Sequence, residues 1–485
     1  MSELTSKVPF SHKLAFGFGM FANQMFPAAL GVFLVVLVQG LGFSPLAWGF
    51  IYFAPRAFDA ITDPIMGFIS DNTRSKWGRR RQYVFAGGIL MGIAYIAMWQ
   101  LYKENSLNYN FIYFMSWSLV FYLGLTIFSV PYVAMGYEMS DDFHERTNIM
   151  AVAQFVGQWA WVIAPWFWVI LYDPNWFPNP DSSVGGAAPD MGVRQLSIWV
   201  AIPCTLCALV PAIFIKSKST VDRTDFKPIN LSSIANSLVD IAKATAEAFA
   251  IPQFRKLAFA TFLIFNSFNI IASFTFFIIV HHLFNSDAGA AGIWPAMHGC
   301  VGALVTTFIV IPVVAAISKR IGKKKTFILS QSISIIGYIL FWFLFIPGKP
   351  YLFLLALPFH SFGIGGLFTL MMSMTADVCD VDELNTGKRR EGILGAVYWW
   401  MVKFGHAFAG LLAGLIMWLV GFDPDAATQS AVDGLRLFYT LLPVAGVIGA
   451  IAIMWNYDIT EEEAEKNRRE LDARKSNPEP APSSV

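Results

Sequence analysis

Arg56, Asp59 and Asp63 lie inside one long apolar stretch of the chain. On a helix their i, i+3, i+7 spacing puts all three on one face. Each charge near a bilayer centre costs roughly 2.5–3.5 kcal/mol on insertion scales. The group is therefore either a structural ion pair at a helix contact or a cation or proton site on a transport path. Two carboxylates one helical turn apart cannot both stay ionised in a low-dielectric site unless a cation neutralises them or they share a proton. Either solution couples a cation to conformation. Pro55 and Pro64 bracket the acids and should loosen the backbone ladder, freeing carbonyl oxygens as further ligands. Thr62 offers a hydroxyl, and Arg56 can pair with Asp59 or with a substrate oxygen. Hard oxygen ligands without His or thiolate fit an alkali cation or a proton better than a transition metal.

Lys403 is the other ionisable group deep in an apolar stretch, between Tyr398-Trp399-Trp400 and His406. A snorkelling lysine belongs near a span end. Lys403 is about a third of the way in, so it reads as a counter-charge or as a group in coupling or substrate binding. Uncharged polar residues recur at depth: Asn23, Gln24, Gln154, Gln158, Asn266, Asn269 and His298. Such groups usually hold helices together. Gln154 and Gln158, one turn apart, share their segment with Trp159, Trp161, Trp166 and Trp168. Amides beside aromatic faces suit a polyhydroxylated ligand, although the same wall could line an apolar pocket. Cys204 and Cys207 form a CxxC with no further Cys or His nearby, which argues against metal or redox work. His281-His282 at a segment end reads as a solvated pair. No nucleophile–base pair or metal cluster appears at depth, so an enzyme is not expected.

The elements that must position these groups are membrane spans. The 485 residues are 56% hydrophobic and only 14% charged, with mean hydropathy +0.54, against about 25% charged residues in soluble domains. A net charge of +1 argues against nucleic acid as a partner. Apolar segments long enough to cross a bilayer of ~30 Å fall at about 14–39, 45–70, 83–102, 109–138, 148–172 and 195–215. They resume at about 257–284, 291–318, 326–346, 350–378, 392–420 and 432–457. Lys and Arg favour the loops after the even-numbered spans by about five to one. That asymmetry makes those loops and both termini cytoplasmic.

Gly78-Arg79-Arg80-Arg81 after the second span recurs as Gly322-Lys323-Lys324-Lys325 after the eighth, 244 residues on, and Arg146 corresponds to Arg390 at the same offset. Two six-span halves related by a repeat are the build of alternating-access carriers, with substrate bound near mid-membrane between them. The expected organisation is a first half over 1–215, a cytoplasmic loop over 216–256, a second half over 257–457 and a tail over 458–485. In the loop, Leu231, Ile234, Leu238 and Ile241 recur at helical spacing and predict an interfacial helix. The tail predicts a short helix that frays into disorder. Asp59 and Asp63 have no acidic counterpart in the second half. The cation site is therefore assigned to the first half, with Lys403 reaching toward it from the second.

Asp59-x-x-x-Asp63-Pro-x-x-Gly67 followed by Trp77-Gly78-Arg79-Arg80-Arg81 resembles the signature of the glycoside–pentoside–hexuronide:cation symporters, a branch of the major facilitator superfamily. Ser129-Val130-Pro131-Tyr132, and Ala376-Asp377-x-x-Asp380 with Arg390-Glu391, resemble its later motifs. The resemblance implies an all-α membrane protein of twelve transmembrane helices in the bacterial inner membrane, working as a monomer. It would import a glycoside, pentoside, hexuronide or oligosaccharide with Na⁺ (or H⁺ or Li⁺), without a cofactor. The implied cation set is Asp59, Asp63, Thr62, Thr126 and Ser129. The implied substrate set is Gln24, Asn23, Arg56, Tyr132, Gln154, Gln158, Phe368, Trp399 and Lys403. Asp71, Arg79, Arg80, Arg81, Asp377 and Arg390 would form the cytoplasmic gating motif. Where the melibiose-carrying branch has a span 1 aspartate, a span 4 acid with a neighbouring tryptophan, and a span 5 arginine, this chain has Gln24, Ser129 with Val133, and Gln154. The cation machinery is kept and the galactoside contacts are not. Lysophospholipid symporters carry similar span 2 motifs, so an amphipathic solute is the alternative substrate.

Overall fold

The structure, a computed structural model, describes residues 7–140, 142–180, 186–215, 219–221, 226, 228–387, 390–424 and 426–476. Lys216, Lys218, Arg223, Lys227, Lys388 and Arg389, counted in the charge asymmetry, lie outside the described residues, as does the tail beyond 476.

The first half consists of α1 (Phe10–Gln39), α2 (Pro45–Asp71), α3 (Arg81–Met98), α4 (Leu107–Tyr137), α5 (Phe143–Ile163) and α7 (Pro189–Phe214), with α5 continuing through a 3₁₀ turn into α6 (Phe167–Tyr172). After the loop helix α8 (Leu231–Ala250), the second half opens with α9 (Pro252–Ile278), a short α10 (Ala288–Ala291) and α11 (Trp294–Val305), which passes through a π turn into α12 (Ile311–Ile321). It is completed by α13 (Lys323–Leu344), α14 (Leu357–Thr386), α15 (Glu391–Leu419) and α16 (Gln429–Trp455), with α17 (Glu461–Ser476) in the tail. Among the described residues eleven helical segments are long and apolar enough to cross a membrane. The expected span at 45–70 is present as the helix α2, but Arg56, Asp59, Asp63 and Asp71 hold it outside that group. The span starts expected at 195 and 257 move to Pro189 and Pro252. In both places a proline opens the helix at a position where its missing N–H costs nothing.

Helix starts are written locally. The Ser44 side chain accepts a hydrogen bond from the Ala47 amide at 3.2 Å and Pro45 follows it, which fixes where α2 begins. Asp142 caps α5 through the Glu145 amide at 2.7 Å. Despite Pro55 and Pro64, α2 runs unbroken from Pro45 to Asp71. The repeat is visible in the backbone: Gly78 and Gly322 both take positive φ, 86° and 82°. A side chain is disfavoured in that conformation.

The repeated basic loops define one end of the bundle. A single buried apolar cluster fills the first half and continues into the opposite ends of α9, α13, α15 and α16. A separate cluster occupies the basic-end portions of the second half. The halves thus share one core away from the basic end and have separate cores toward it. Where they meet, backbone touches backbone: a Cβ built on Gly414 of α15 would lie 2.4 Å from the Pro45 carbonyl oxygen and 2.7 Å from the Gly49 Cα of α2. Trp48 and Phe277 close the same end edge to face, with centroids 6.4 Å apart. His281 is buried there, its Nδ1 within 2.9 Å of Ser286 Oγ, and His282 Nε2 lies 3.1 Å from the Phe345 carbonyl. The pair is packed and hydrogen-bonded, which corrects the expectation of a solvated one.

Candidate functional site

Asp59 and Asp63 sit one turn apart near the middle of α2 and face α4 and α15. Lys403, from α15, places its Nζ 2.6 Å from Asp59 Oδ2 and also donates to Asp63 Oδ2. The outer oxygens are held from α4: Thr126 Oγ1 donates to Asp59 Oδ1 at 2.7 Å and lies 3.2 Å from Asp63 Oδ1. Thr62 Oγ1 lies 3.0 Å from Thr126 Oγ1, closing a cluster of two carboxylates, two hydroxyls and one ammonium. Asp59 and Thr126 are buried and Asp63 is partly accessible. Ser129, one turn along α4 from Thr126, is half-buried and makes no hydrogen bond to the carboxylates. Chemically, the cluster is a set of hard oxygens around a position occupied by a lysine ammonium, whose single charge offsets one of the two carboxylates. Among the described residues no group of three or more His, Cys, Asp or Glu is arranged to hold a metal.

Arg56 faces elsewhere. Its Nη1 donates to the Tyr52 carbonyl at 2.9 Å, and its guanidinium lies 4.0 Å above the Tyr52 ring and 5.9 Å from the Tyr122 ring centre. Of the two roles open to Arg56, the pairing with Asp59 is not made; Lys403 bonds Asp59 instead.

The remaining expected substrate residues divide into two groups. Gln24 is half-buried and its Oε1 accepts from Trp161 Nε1 at 2.9 Å, which joins α1 to α5. Asn23 is half-buried beside it, and the side-chain NH₂ groups of both Asn23 and Gln24 donate to the Met20 sulfur at 4.0 Å. Gln154, Phe368 and Trp399 are exposed, and Gln158 lies with Phe155, Trp159 and Val162 against Ala303, Leu304, Thr307 and Phe308 in a seam between the halves. Tyr132 departs from this group. It is fully buried, stacked between Phe16 and Phe128 at 4.5 and 5.2 Å, with its hydroxyl donating to the Phe16 carbonyl at 2.5 Å. Its place is in the α1–α4 core, because Gly19 leaves the room its ring fills. Asn266 is interhelical, its amide 3.5 Å from the Gly405 carbonyl. Asn269 bonds only within its own helix.

At the basic end the motif residues form two clamps. Arg80 bonds Asp71 at 2.8 Å, Glu138 at 3.1 Å and the Ala134 carbonyl at 2.5 Å; Arg79 also donates to Glu138, and Arg81 to the carbonyls of Ala212 and Ile213. In the second half Lys323 bonds Asp377 at 2.6 Å, and Arg390 bonds Asp382 at 2.5 Å and Glu247 of α8 at 2.7 Å. Asp382, the nearest carboxylate, raises the Arg390 pKa further above its ordinary value, so the guanidinium of this clamp stays charged at any working pH. Sequence reading missed Glu138 as the shared acceptor and Trp161 as the partner of Gln24. Glu138 had a signal: it stands at the repeat offset from Asp382.

Residues 15–461 match a family model described as MFS/sugar transport protein. An uncharacterised symporter of Synechocystis is 25% identical over 97% of this chain and 98% of its own length. A glucuronide carrier protein homolog of Escherichia coli is 24% identical over 95% of both chains. Among solved structures, a bacterial homologue of the human lysosomal transporter Spinster superposes with a TM-score of 0.66, at 17% identity, over 94% of this chain and 98% of that one.

Proposed function

Because the chain belongs to the MFS/sugar transport protein family, a group of multi-pass membrane transporters and not of enzymes, we propose that it is a sugar:cation symporter of the bacterial inner membrane. Its cargo is a glycoside or related sugar, and its coupling ion is Na⁺, with H⁺ and Li⁺ as the alternatives to be separated by assay. The similarity to a relative named as a glucuronide carrier supports a sugar cargo. One observation carries the mechanism: two carboxylates from the first half are bridged by a lysine from the second. A cation entering between Asp59 and Asp63 competes directly with Lys403. Because Lys403 also ties α15 to α2, binding of the ion changes how strongly the two halves hold together at mid-depth.

Residues 1–215 and 257–457 are read as the two moving halves, the basic end as cytoplasmic, and one chain as sufficient, since both sides of the ion site come from it. The sugar is held between the halves by Gln24, Asn23, Arg56, Gln154, Gln158, Phe368 and Trp399. The basic clamps set the gate. Opening toward the basic end fits the separate apolar cores there. The test is uptake of a panel of glycosides and uronides by proteoliposomes under imposed Na⁺ or H⁺ gradients. At least one sugar should accumulate under one gradient and not without it. If acyl-chain lysophospholipids move and no sugar does, the sugar reading fails.

A further inference from the structure

His406 follows Lys403 by one turn of α15 and takes no part in the ion cluster. The register of α15 on α2 fixes its level. Lys403 meets Asp59, Gly410 leaves room for the Tyr52 ring, and Gly414 meets Gly49. The two helices are thus antiparallel, α2 running toward the basic end and α15 away from it. Arg56 and His406 therefore lie level with each other, one turn from the Asp59–Lys403 pair on the side away from the basic loops. On its α9 side, α15 packs through Gly405 against Phe265 and the Phe262 carbonyl. Its outer side carries the exposed Phe408 and Leu415. By helical spacing His406 falls between the α2-facing and α9-facing residues, opposite Phe408 and Leu415. The imidazole packs on Phe265 with centroids 5.3 Å apart, and Phe265 meets Phe368 of α14 edge to face. Trp399 is exposed two turns along the same face. His406 thus borders the space already read as the sugar site through Arg56, Phe368 and Trp399.

The ring has a fixed polarity. Its Nδ1 lies 3.1 Å from the Val402 carbonyl of its own helix. A carbonyl only accepts, so Nδ1 carries the proton and the lone pair of the neutral ring sits on Nε2. Among the described residues nothing bonds to that Nε2, and it is not sealed in. The ring nitrogens of His360 and the Nε2 of His298 also lack partners, but they are closed off in the core of the second half. His406 faces open space instead. Arg56 and Lys403, the cations at this depth, are donors only, and their bonds go to the Tyr52 carbonyl and the aspartates. A lone pair removed from water costs free energy unless a donor reaches it. A sugar that displaces water here must therefore bring a hydroxyl proton to Nε2.

We propose that His406 is a sugar-binding residue, the hydrogen-bond acceptor supplied by the second half, whose Nε2 receives the proton of one sugar hydroxyl while Arg56 donates to a neighbouring oxygen. This rests on the reading of the space between the halves as a sugar site and adds the residue that sets which hydroxyl is required.

The experiment is uptake by proteoliposomes of the methyl β-glycosides of D-glucose, D-galactose, D-xylose and D-glucuronic acid under an inward Na⁺ or H⁺ gradient. The sugar that moves fastest is then compared with its monodeoxyfluoro derivatives, in which fluorine cannot donate. In the wild type, fluorine at one position should raise KM by roughly 10-fold, the size of a lost hydrogen bond. His406→Phe keeps a ring against Phe265 and deletes the acceptor. It should raise KM for the parent sugar by a similar factor and leave that one fluoro derivative unchanged, so that the two losses do not add. A residue that only packs α15 against α9 would raise KM for parent and derivatives alike. Losses that add in full at every position, or a parent KM unchanged in His406→Phe, overturn the assignment and leave cation-driven uptake standing. If neither gradient drives any sugar of the panel, the symport reading falls and this inference with it. If His406→Phe does not fold, carbethoxylation of His406 in the wild type by diethyl pyrocarbonate, read by mass spectrometry, decides. The parent sugar should protect the ring, and labelling indifferent to the sugar overturns the assignment.

Discussion

Lys403 Nζ lies 2.6 Å from Asp59 Oδ2, a contact between helices 344 residues apart in the chain. It is the point where the two halves are joined by charge rather than by packing. Removing one partner of a fully buried pair typically costs about 3–5 kcal/mol, because the other charge is left alone; here Asp59 is buried but the Lys403 side chain is 35% exposed, so the loss falls below that range. Lys403→Ala should therefore melt below wild type in cation-free buffer, and millimolar Na⁺ should recover most of the loss by occupying the vacated position. A melting temperature of Lys403→Ala that ignores Na⁺, Li⁺ and pH alike contradicts the idea that lysine and ion compete for one place.

The Thr126 hydroxyl fixes the outer oxygens of both aspartates. Thr126→Val keeps the volume and deletes the donor. A hydrogen bond to a charged acceptor is worth about 1.5–3 kcal/mol, so the half-saturating cation concentration for uptake should shift by roughly 10-fold or more, with little change in expression. Thr126→Ser should restore it. An unchanged cation dependence in the valine variant would remove Thr126 from the site.

Trp161 orients Gln24 through its indole N–H at 2.9 Å. Trp161→Phe retains the aromatic face and frees the amide to rotate. Loss of about 1 kcal/mol of ordering predicts a KM for sugar raised several-fold with kcat nearly intact. A fall in kcat alone would instead assign Trp161 to the conformational change.

The contact of Gly414 with Pro45 and Gly49 has no space for a side chain. Gly414→Leu must push α15 off α2 at the end away from the basic loops. A cysteine placed at exposed Leu46 and one at Trp399, toward the basic end, should change labelling in opposite senses, the first faster and the second slower. Equal labelling in the two backgrounds would contradict the closure of that end.

What was legible in the sequence follows from where the signals are local. Long apolar runs define spans without knowledge of neighbours, and Asp59, Asp63 and Lys403 stand out because charge inside such a run is expensive. The repeat exposed Gly78 and Gly322 as equivalent, and both adopt the left-handed backbone. Pairings between spans were less accessible. Nothing in the segment distinguishes Trp161 from its neighbouring tryptophans as the partner of Gln24, and the shared helix face leaves Arg56 open to Asp59 or to a substrate oxygen. Lys403 wins that contact from across the interface, and the Tyr52 ring takes the arginine. Tyr132 was drawn into the substrate set by its motif, yet its depth is set by Gly19 and Phe16 on another helix. No spacing within one segment carries that information.

The central claim is that Asp59 and Asp63 couple a cation to sugar movement. Its most direct test compares wild type with Asp63→Asn in proteoliposomes loaded without Na⁺ and diluted into an inward Na⁺ gradient or, separately, an inward H⁺ gradient, using a sugar that the wild type accumulates. Accumulation should be driven by one gradient in the wild type and lost in Asp63→Asn, while the variant still equilibrates the sugar or binds it. Full gradient-driven accumulation by Asp63→Asn would contradict the account.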